Sequence, residues 1–211
     1  MLSNYFTFKA MKISSKIVSY LRKWQQITQS PNNLTFVHFR YFVLELCDAS
    51  LDQLFLDPNH QKKYNGPKLP YHFEIFSQLA SGLEYIHSKN LIHRDIKPAN
   101  VLISVDSICQ KVTIKWADFG LSRIVNERGT YTMRSGVKGT RNWNAPELLT
   151  LDPRGTVKSD VFSLGLVFGY LLLGGQHLYG SKYEIDKNII EGNMININRK
   201  YSANRIKCWI N

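Results

Sequence analysis

The chain of 211 residues predicts an α+β fold, one of mixed helices and short strands. Three observations predict it. Apolar residues at positions 73, 76, 79, 83 and 86 recur at intervals of three and four, the signature of one helix face. Stretches at 39–45 and 112–116 are rich in aromatic and β-branched residues, and the second alternates cleanly, as strands do. A hydrophobic content of 44% against 20% charged residues is ordinary for one globular domain with a real core.

In chain order, a strand is expected at 39–45, then a short helix at 51–56 and a turn-rich stretch at 57–67 (DPNHQKKYNGP). The amphipathic helix follows at 71–89, and short strands at 101–104 and 112–116. Residues 118–147 show no periodicity, and a loop of that length inside a domain is usually functional or disordered. The greasiest run, 161–173, falls short of the roughly 20 residues a bilayer requires and is read as a buried helix against which the amphipathic one packs. One more helix is expected at 183–190, whereas 193–211 is polar without pattern.

The formal net charge is +11. The basic residues are scattered rather than gathered in a tail, so a solvated surface with phosphate-handling sites accounts for them better than nucleic acid or an anionic membrane. Residues 1–44 carry Lys9, Lys12, Lys16, Arg22, Lys23 and Arg40 and no Asp or Glu. Cys47, Cys109 and Cys208 are odd in number and form no CxxC pair, which supports neither a disulfide framework nor a zinc site and fits a reducing compartment. The N-terminal stretch lacks the unbroken apolar core of a secretory signal.

The chemistry is carried by three segments. Residues 92–100 read IHRDIKPAN, residues 116–120 read WADFG, and Ala145, Pro146 and Glu147 follow. A lone His-Arg-Asp triplet carries little. The ordered set, with Asn100 five residues after Asp95, matches HRDxxxxN, DFG and APE, and on it the chain resembles the protein kinase superfamily, Ser/Thr type. The resemblance implies a protein-kinase-like fold: a remnant of the small lobe at 1–43, a hinge at 44–48, a large lobe at 49–199 cut at its C-terminal end, and an unassigned tail at 200–211.

Phosphoryl transfer asks mainly for in-line positioning and neutralisation of phosphate charge. The resemblance implies that Asp95 accepts or orients the substrate hydroxyl's proton, that Lys97 steadies the transferred phosphate, and that Asn100 and Asp118 hold Mg2+ through hard oxygen ligands. Asp95, Lys97 and Asn100 are thus the expected catalytic residues. ATP would further meet the backbone of Glu45 and Cys47 at adenine, with Leu102 as its floor and Leu44 guarding the back pocket. Lys97 at this position favours Ser/Thr specificity. His93 and Phe119 would pack inside, and Arg94 would reach a phosphorylated residue of the activation segment. Thr130, Thr132 and Ser135 are candidate autophosphorylation sites, against the plainer reading of an ordinary polar loop. Residues 138–140 would form the shelf beside the acceptor. Asp160 would cap its helix and anchor the catalytic loop backbone; a plain N-cap is the compatible simpler reading.

Residues 42–51, 134–147 and 160–180 look like the inositol-requiring kinase/endoribonuclease family of the unfolded protein response, with Trp143 the most telling position. The resemblance covers about residues 39–195. It implies ATP, a protein substrate and self-association for trans-autophosphorylation as partners, and a cytoplasmic location or the cytosolic face of the endoplasmic reticulum. Neither RNA cleavage nor nucleic-acid binding nor a membrane segment is expected of these residues.

The departures are specific. The first glycine is Gly66, so a glycine-rich phosphate loop is absent from these residues, and no acidic residue precedes Glu45 to pair with Lys12, the candidate phosphate-binding lysine. Glu147 would be left a buried, unpaired carboxylate, since Arg199 and Arg205 do not match the family's Arg partner. Two functions therefore stand side by side: an ATP-dependent Ser/Thr kinase domain represented by a fragment, and a pseudokinase that binds nucleotide or a partner without transfer. A third reading is a chain that folds poorly because its hinge strand lacks neighbours.

Overall fold

A computed structural model of the chain describes residues 20–29, 36–126, 130–132, 139–150 and 154–200. The expected α+β architecture is present. Strand β1 (Tyr20–Gln29) pairs antiparallel with β2 (Phe36–Leu44), from Tyr20 opposite Leu44 to Gln29 opposite Phe36, with an irregularity between Tyr20 and Arg22. The expected strand at 39–45 therefore begins earlier and is not alone. No strand was expected at β1, because its apolar residues Leu21, Trp24 and Ile27 are spaced by three and show no period of two.

After β2, β3 (Ala49–Ser50) leads into a 3-10 turn at Leu51–Phe55, where a short helix was expected. Helix α1 (His72–Ser88) buries Ile75, Leu79, Leu83 and Ile86. Phe73, placed on the apolar face by its spacing, is instead 76% exposed, since at about 100° per residue it lies on the side of α1 away from the buried stripe of Ile75, Leu79, Leu83 and Ile86. Strand β4 (Leu91–Ile92), a 3-10 turn at Pro98–Asn100, β5 (Val101–Val105) and β6 (Val112–Trp116) follow. β3, β5 and β6 make one sheet in that order, with Ile103 and Ile114 paired and fully buried. Two polar bonds fasten α1 to β6: the buried Gln78 Oε1 accepts from the Ile114 N–H at 2.9 Å, and the Trp116 indole N–H donates to the Leu79 carbonyl at 2.9 Å. Burying Trp116 with its donor satisfied secures the full hydrophobic gain, about 2–3 kcal/mol for a large side chain.

The non-periodic region holds a 3-10 turn at Phe119–Leu121, β7 (Arg123–Ile124), which pairs with β4, and β8 (Thr130–Thr132), which pairs with β9 (Arg154–Thr156). Helix α2 (Val157–Leu172) starts four residues before the greasy run, because Thr156 and Ser159 form a capping box: the Thr156 hydroxyl accepts from the Lys158 N–H, and Ser159 Oγ accepts from the Thr156 N–H. As expected, α2 packs on α1, with Phe76 and Phe168 stacked at 4.1 Å. Helix α3 (Ile185–Glu191) lies close to its expected place, and α4 (Ile195–Lys200) occupies a stretch in which no helix was expected. Among the described residues no helix is long and apolar enough to cross a membrane.

Two apolar clusters result. One joins α1, β5, β6 and α2; the other gathers Leu166, Leu173, Leu178, Tyr179, Ile185, Ile189 and Ile197. Trp143 packs against both. Its ring meets His177 edge-on at 4.9 Å and Tyr170 at 5.8 Å, and its carbonyl accepts from Ser163 Oγ of α2 at 2.6 Å.

Candidate active site

The segment after β4 is held from below by one buried carboxylate. Asp160, 3% exposed in the first turn of α2, accepts from the His93 N–H at 2.8 Å and the Arg94 N–H at 3.0 Å, and its Oδ2 lies 2.9 Å from His87 Nε2. Arg94 sits at a φ of 72°, a left-handed conformation that two charge-assisted bonds help to hold. The expected anchor is therefore in place. The expected cap is not: Thr156 caps α2, which frees Asp160 for the loop.

His93 is fully buried, packing on Phe119 at 4.9 Å and Trp116 at 5.9 Å. Burial lowers its pKa, against the opposing pull of Asp160, the Ala117 carbonyl and neighbouring carboxylates. A neutral ring fits both contacts: Nε2 donates to the Ala117 carbonyl at 2.9 Å, and Nδ1 accepts from the Asp95 N–H at 3.3 Å.

Asp95, 7% exposed, is the hub. Its Oδ2 accepts from Lys97 Nζ at 2.7 Å and Asn100 Nδ2 at 2.9 Å; its Oδ1 accepts from the Thr140 N–H at 2.9 Å and hydroxyl at 2.8 Å. Lys97 also donates to Thr140 Oγ1. Burial alone would push the Asp95 carboxyl up, but the donors Lys97, Thr140 and Asn100 and the Lys97 charge outweigh it and hold the group below the usual carboxylate range. The three expected catalytic residues are thus brought together. Thr140 joins them, a partner that sequence reasoning placed only on the substrate shelf, since nothing in local spacing reveals a bond across 45 residues.

Asn100 Nδ2 also donates to the Asp95 carbonyl at 2.7 Å. With the amide nitrogen committed twice to Asp95, the carbonyl oxygen is the atom left to meet a cation. The Asn100 carbonyl in turn accepts from the Ala117 N–H at 3.0 Å, which docks the start of the Asp-Phe-Gly turn on the catalytic loop. Asp118 adopts a left-handed φ of 59°, is exposed, and accepts from the Gly120 N–H at 3.2 Å. One amide oxygen and one exposed carboxylate are hard donors of the kind Mg2+ selects, so the residues present fit that ion. No group of three His, Cys, Asp or Glu that could hold a metal occurs among the described residues.

In the expected hinge, the Glu45 side chain pairs with Lys115 of β6 and accepts from Ser104 Oγ at 3.3 Å. Cys47 is half-buried; burial, then Glu45, push its thiol up, against a smaller opposing pull from Lys115. Leu102 is half-buried on β5, and Leu44 is 51% exposed at the end of β2. A cavity of about 570 Å3, lined by Leu54, Phe55, Leu69, Ile75 and Leu171 among others, includes none of the expected nucleotide-binding residues.

In the activation segment, Thr130 is half-buried and its N–H and hydroxyl both donate to Asn126 Oδ1, at 2.9 and 3.0 Å. Ser135, the Thr132 side chain, Arg128, Arg134, Lys138 and Lys12 lie outside what the structure describes. Gly139 has a φ of 113°, and a Cβ there would stand 2.9 Å from the Arg94 carbonyl, so only glycine passes this close to the segment that bears Asp95. Glu147 corrects an expectation: it is exposed, not buried, and accepts from Ser159 Oγ at 2.6 Å, because the 3-10 turn at Pro146–Leu149 brings it to the surface.

A family model described as "Protein kinase domain" matches residues 5–209. The chain is 36% identical over 177 residues to the human serine/threonine-protein kinase/endoribonuclease IRE2, covering 80% of this chain and 19% of that protein. It is 36% identical over 157 residues to serine/threonine-protein kinase/endoribonuclease ire-1 of Caenorhabditis elegans (73% and 16%). It is 29% identical over 199 residues to the sensor for unfolded proteins in the ER ire1 of Schizosaccharomyces pombe (80% and 18%). The chain spans less than a fifth of the length of these curated relatives.

Proposed function

Because the chain belongs to the protein kinase domain family, we propose that it is an ATP-dependent serine/threonine kinase domain that transfers the γ-phosphate of Mg-ATP to protein hydroxyls, its own activation segment included. One observation carries the reading: a single buried carboxylate, Asp95, gathers Lys97, Asn100 and Thr140 at hydrogen-bond distance.

Transfer forms a bond between the acceptor oxygen and the γ-phosphorus and breaks the bond to the β–γ bridging oxygen; the hydroxyl proton goes to Asp95. Its low pKa makes Asp95 a weak base, so its main work is to orient the hydroxyl, with proton transfer following late as the oxygen loses basicity. All four acceptor positions of Asp95 are filled by Lys97, Asn100 and Thr140. An incoming Ser or Thr hydroxyl would displace the Thr140 hydroxyl, a like-for-like exchange that suits an aliphatic acceptor. Lys97, 2.7 Å from Asp95, would place its charge where phosphate negative charge develops. When bound, Mg2+ would be held by Asn100 and Asp118 and would neutralise phosphate charge. Adenine would lie between the hinge backbone at Glu45 and Cys47 and the side chain of Leu102, the hinge spanning 44–48 and the large lobe 49–199.

The relatives' printed names, kinase/endoribonuclease and sensor for unfolded proteins in the ER, support a role in the unfolded protein response, at the cytosolic face of the endoplasmic reticulum or in the cytoplasm, with self-association enabling phosphorylation in trans. A second reading is favoured by one sequence fact: no glycine precedes Gly66 and no acid precedes Glu45, so these residues alone would bind nucleotide without transferring phosphate. The test is incubation of purified protein with Mg-ATP, followed by mass spectrometry and melting. Phosphate on Thr130, Thr132 or Ser135 that disappears in Asp95→Asn is expected. A nucleotide-induced rise in melting temperature with no phosphate selects the second reading, and neither signal rejects both nucleotide readings and leaves only the binding of a partner.

A further inference from the structure

Lys115 is a residue that the catalytic set does not use, and its surroundings give it a role. Strand β6 turns Ile114 and Trp116 into the core, both fully buried, and Lys115 to the opposite face. There it stands directly opposite Leu102 of β5, the expected floor of the adenine site. Its ammonium pairs with Glu45 of the hinge, whose Oε1 also accepts from Ser104 Oγ of β5. The two side chains are only 13% and 23% exposed, so the pair is screened less than a surface ion pair and its attraction is correspondingly stronger.

A second clasp lies three residues on. The Asp48 N–H donates to the Ile103 carbonyl at 2.8 Å, and Asp48 Oδ2 accepts from the Val105 N–H at 2.7 Å. Both acids of the hinge are therefore bound to the β5–β6 hairpin, and Cys47 lies between them.

We propose that Lys115 is a positioning residue for nucleotide: through Glu45 it holds the hinge over Leu102, so that the backbone which meets adenine is set before the ligand arrives. This rests on the reading that the chain takes ATP. A pre-set hinge spares the ligand the entropy of ordering those residues, and the benefit appears in affinity rather than in the chemical step.

The test compares wild type with Lys115→Met and Lys115→Arg. In nucleotide-free protein, amide hydrogen exchange at residues 44–48 is expected to rise about tenfold in Lys115→Met, the size of one lost charge-assisted bond, and to stay near wild type in Lys115→Arg. Unchanged exchange in α1 shows that Lys115→Met has folded. Titration with Mg-ATP is expected to show a dissociation constant raised about tenfold in Lys115→Met and restored in Lys115→Arg, with turnover at saturating ATP altered less than twofold. Hinge exchange that does not change overturns the clamp. Unchanged ATP affinity in Lys115→Met, beside a wild type that binds, overturns the positioning role alone. A wild type that binds no Mg-ATP overturns the kinase reading and the nucleotide half of the proposal together, while the exchange measurement still reports on the clamp.

Discussion

His177 makes the acid side of the stability curve predictable. The residue is 8% exposed beneath Trp143, its Nδ1 accepts from the Tyr179 N–H at 3.2 Å, and its Nε2 makes no well-formed hydrogen bond. Burial lowers its pKa from 6.5 to about 4, and the nearby Asn142 backbone and the Asp186 carboxylate offset only part of that. The folded chain thus keeps the ring neutral where the unfolded chain protonates it. No stability is lost above pH 6.5; it drains as the pH falls from there toward 4, at about 1.4 kcal/mol per pH unit. The whole window is worth on the order of 3 kcal/mol, and the step from pH 7 to 5.5 about 1 kcal/mol. Urea denaturation of wild type and His177→Gln at both pH values is the assay. The wild type should lose about 1 kcal/mol more than His177→Gln over that step. An NMR titration in which the His177 ring protonates near 6.5 in the folded protein would refute the reasoning.

Two other changes follow from single contacts. Asp160→Asn keeps the size of the side chain but turns an NH2 group toward one of the two loop amides; a loss of about 2–4 kcal/mol by denaturant titration is expected, and a loss below 0.5 would mean that the carboxylate does not hold the loop. Cys47, whose thiol is pushed up by burial and Glu45, should react with iodoacetamide at pH 8 several-fold more slowly than the exposed Cys109; equal rates by peptide mass spectrometry would contradict its placement.

What the sequence revealed was what short-range periodicity and motif spacing encode. The amphipathic face of α1 and the alternation of β6 each lie within one element, and each of the three motifs is a short unbroken stretch, so spacing alone discloses them. Contacts between distant segments were hidden. Thr140 reaches Asp95 over 45 residues and Lys115 reaches Glu45 over 70, and no local pattern marks either end of such a bond; the Asp160 anchor, 66 residues from Arg94, was expected only through the family resemblance. Strand β1 was missed because pairing with β2, not alternation, makes it a strand. Glu147 was misjudged for a related reason: its burial was carried over from the family resemblance, whereas the turn that carries it leaves it exposed, with the hydroxyl of Ser159, a distant residue of α2, as its donor.

Trp143 stands three residues after Thr140, and its ring is wedged between the two apolar clusters while its carbonyl is tied to α2. Residues 140–145 are therefore not a separate flap. They share their fate with the helical interior: a fluctuation that lifts residues 140–145 also parts the clusters, and a loosening of the interior reaches back to Thr140 and its bonds to Asp95. Order around Asp95 and global cooperativity then rise and fall together, so that a change deep among the helices is also felt at the Asp95–Thr140 contact.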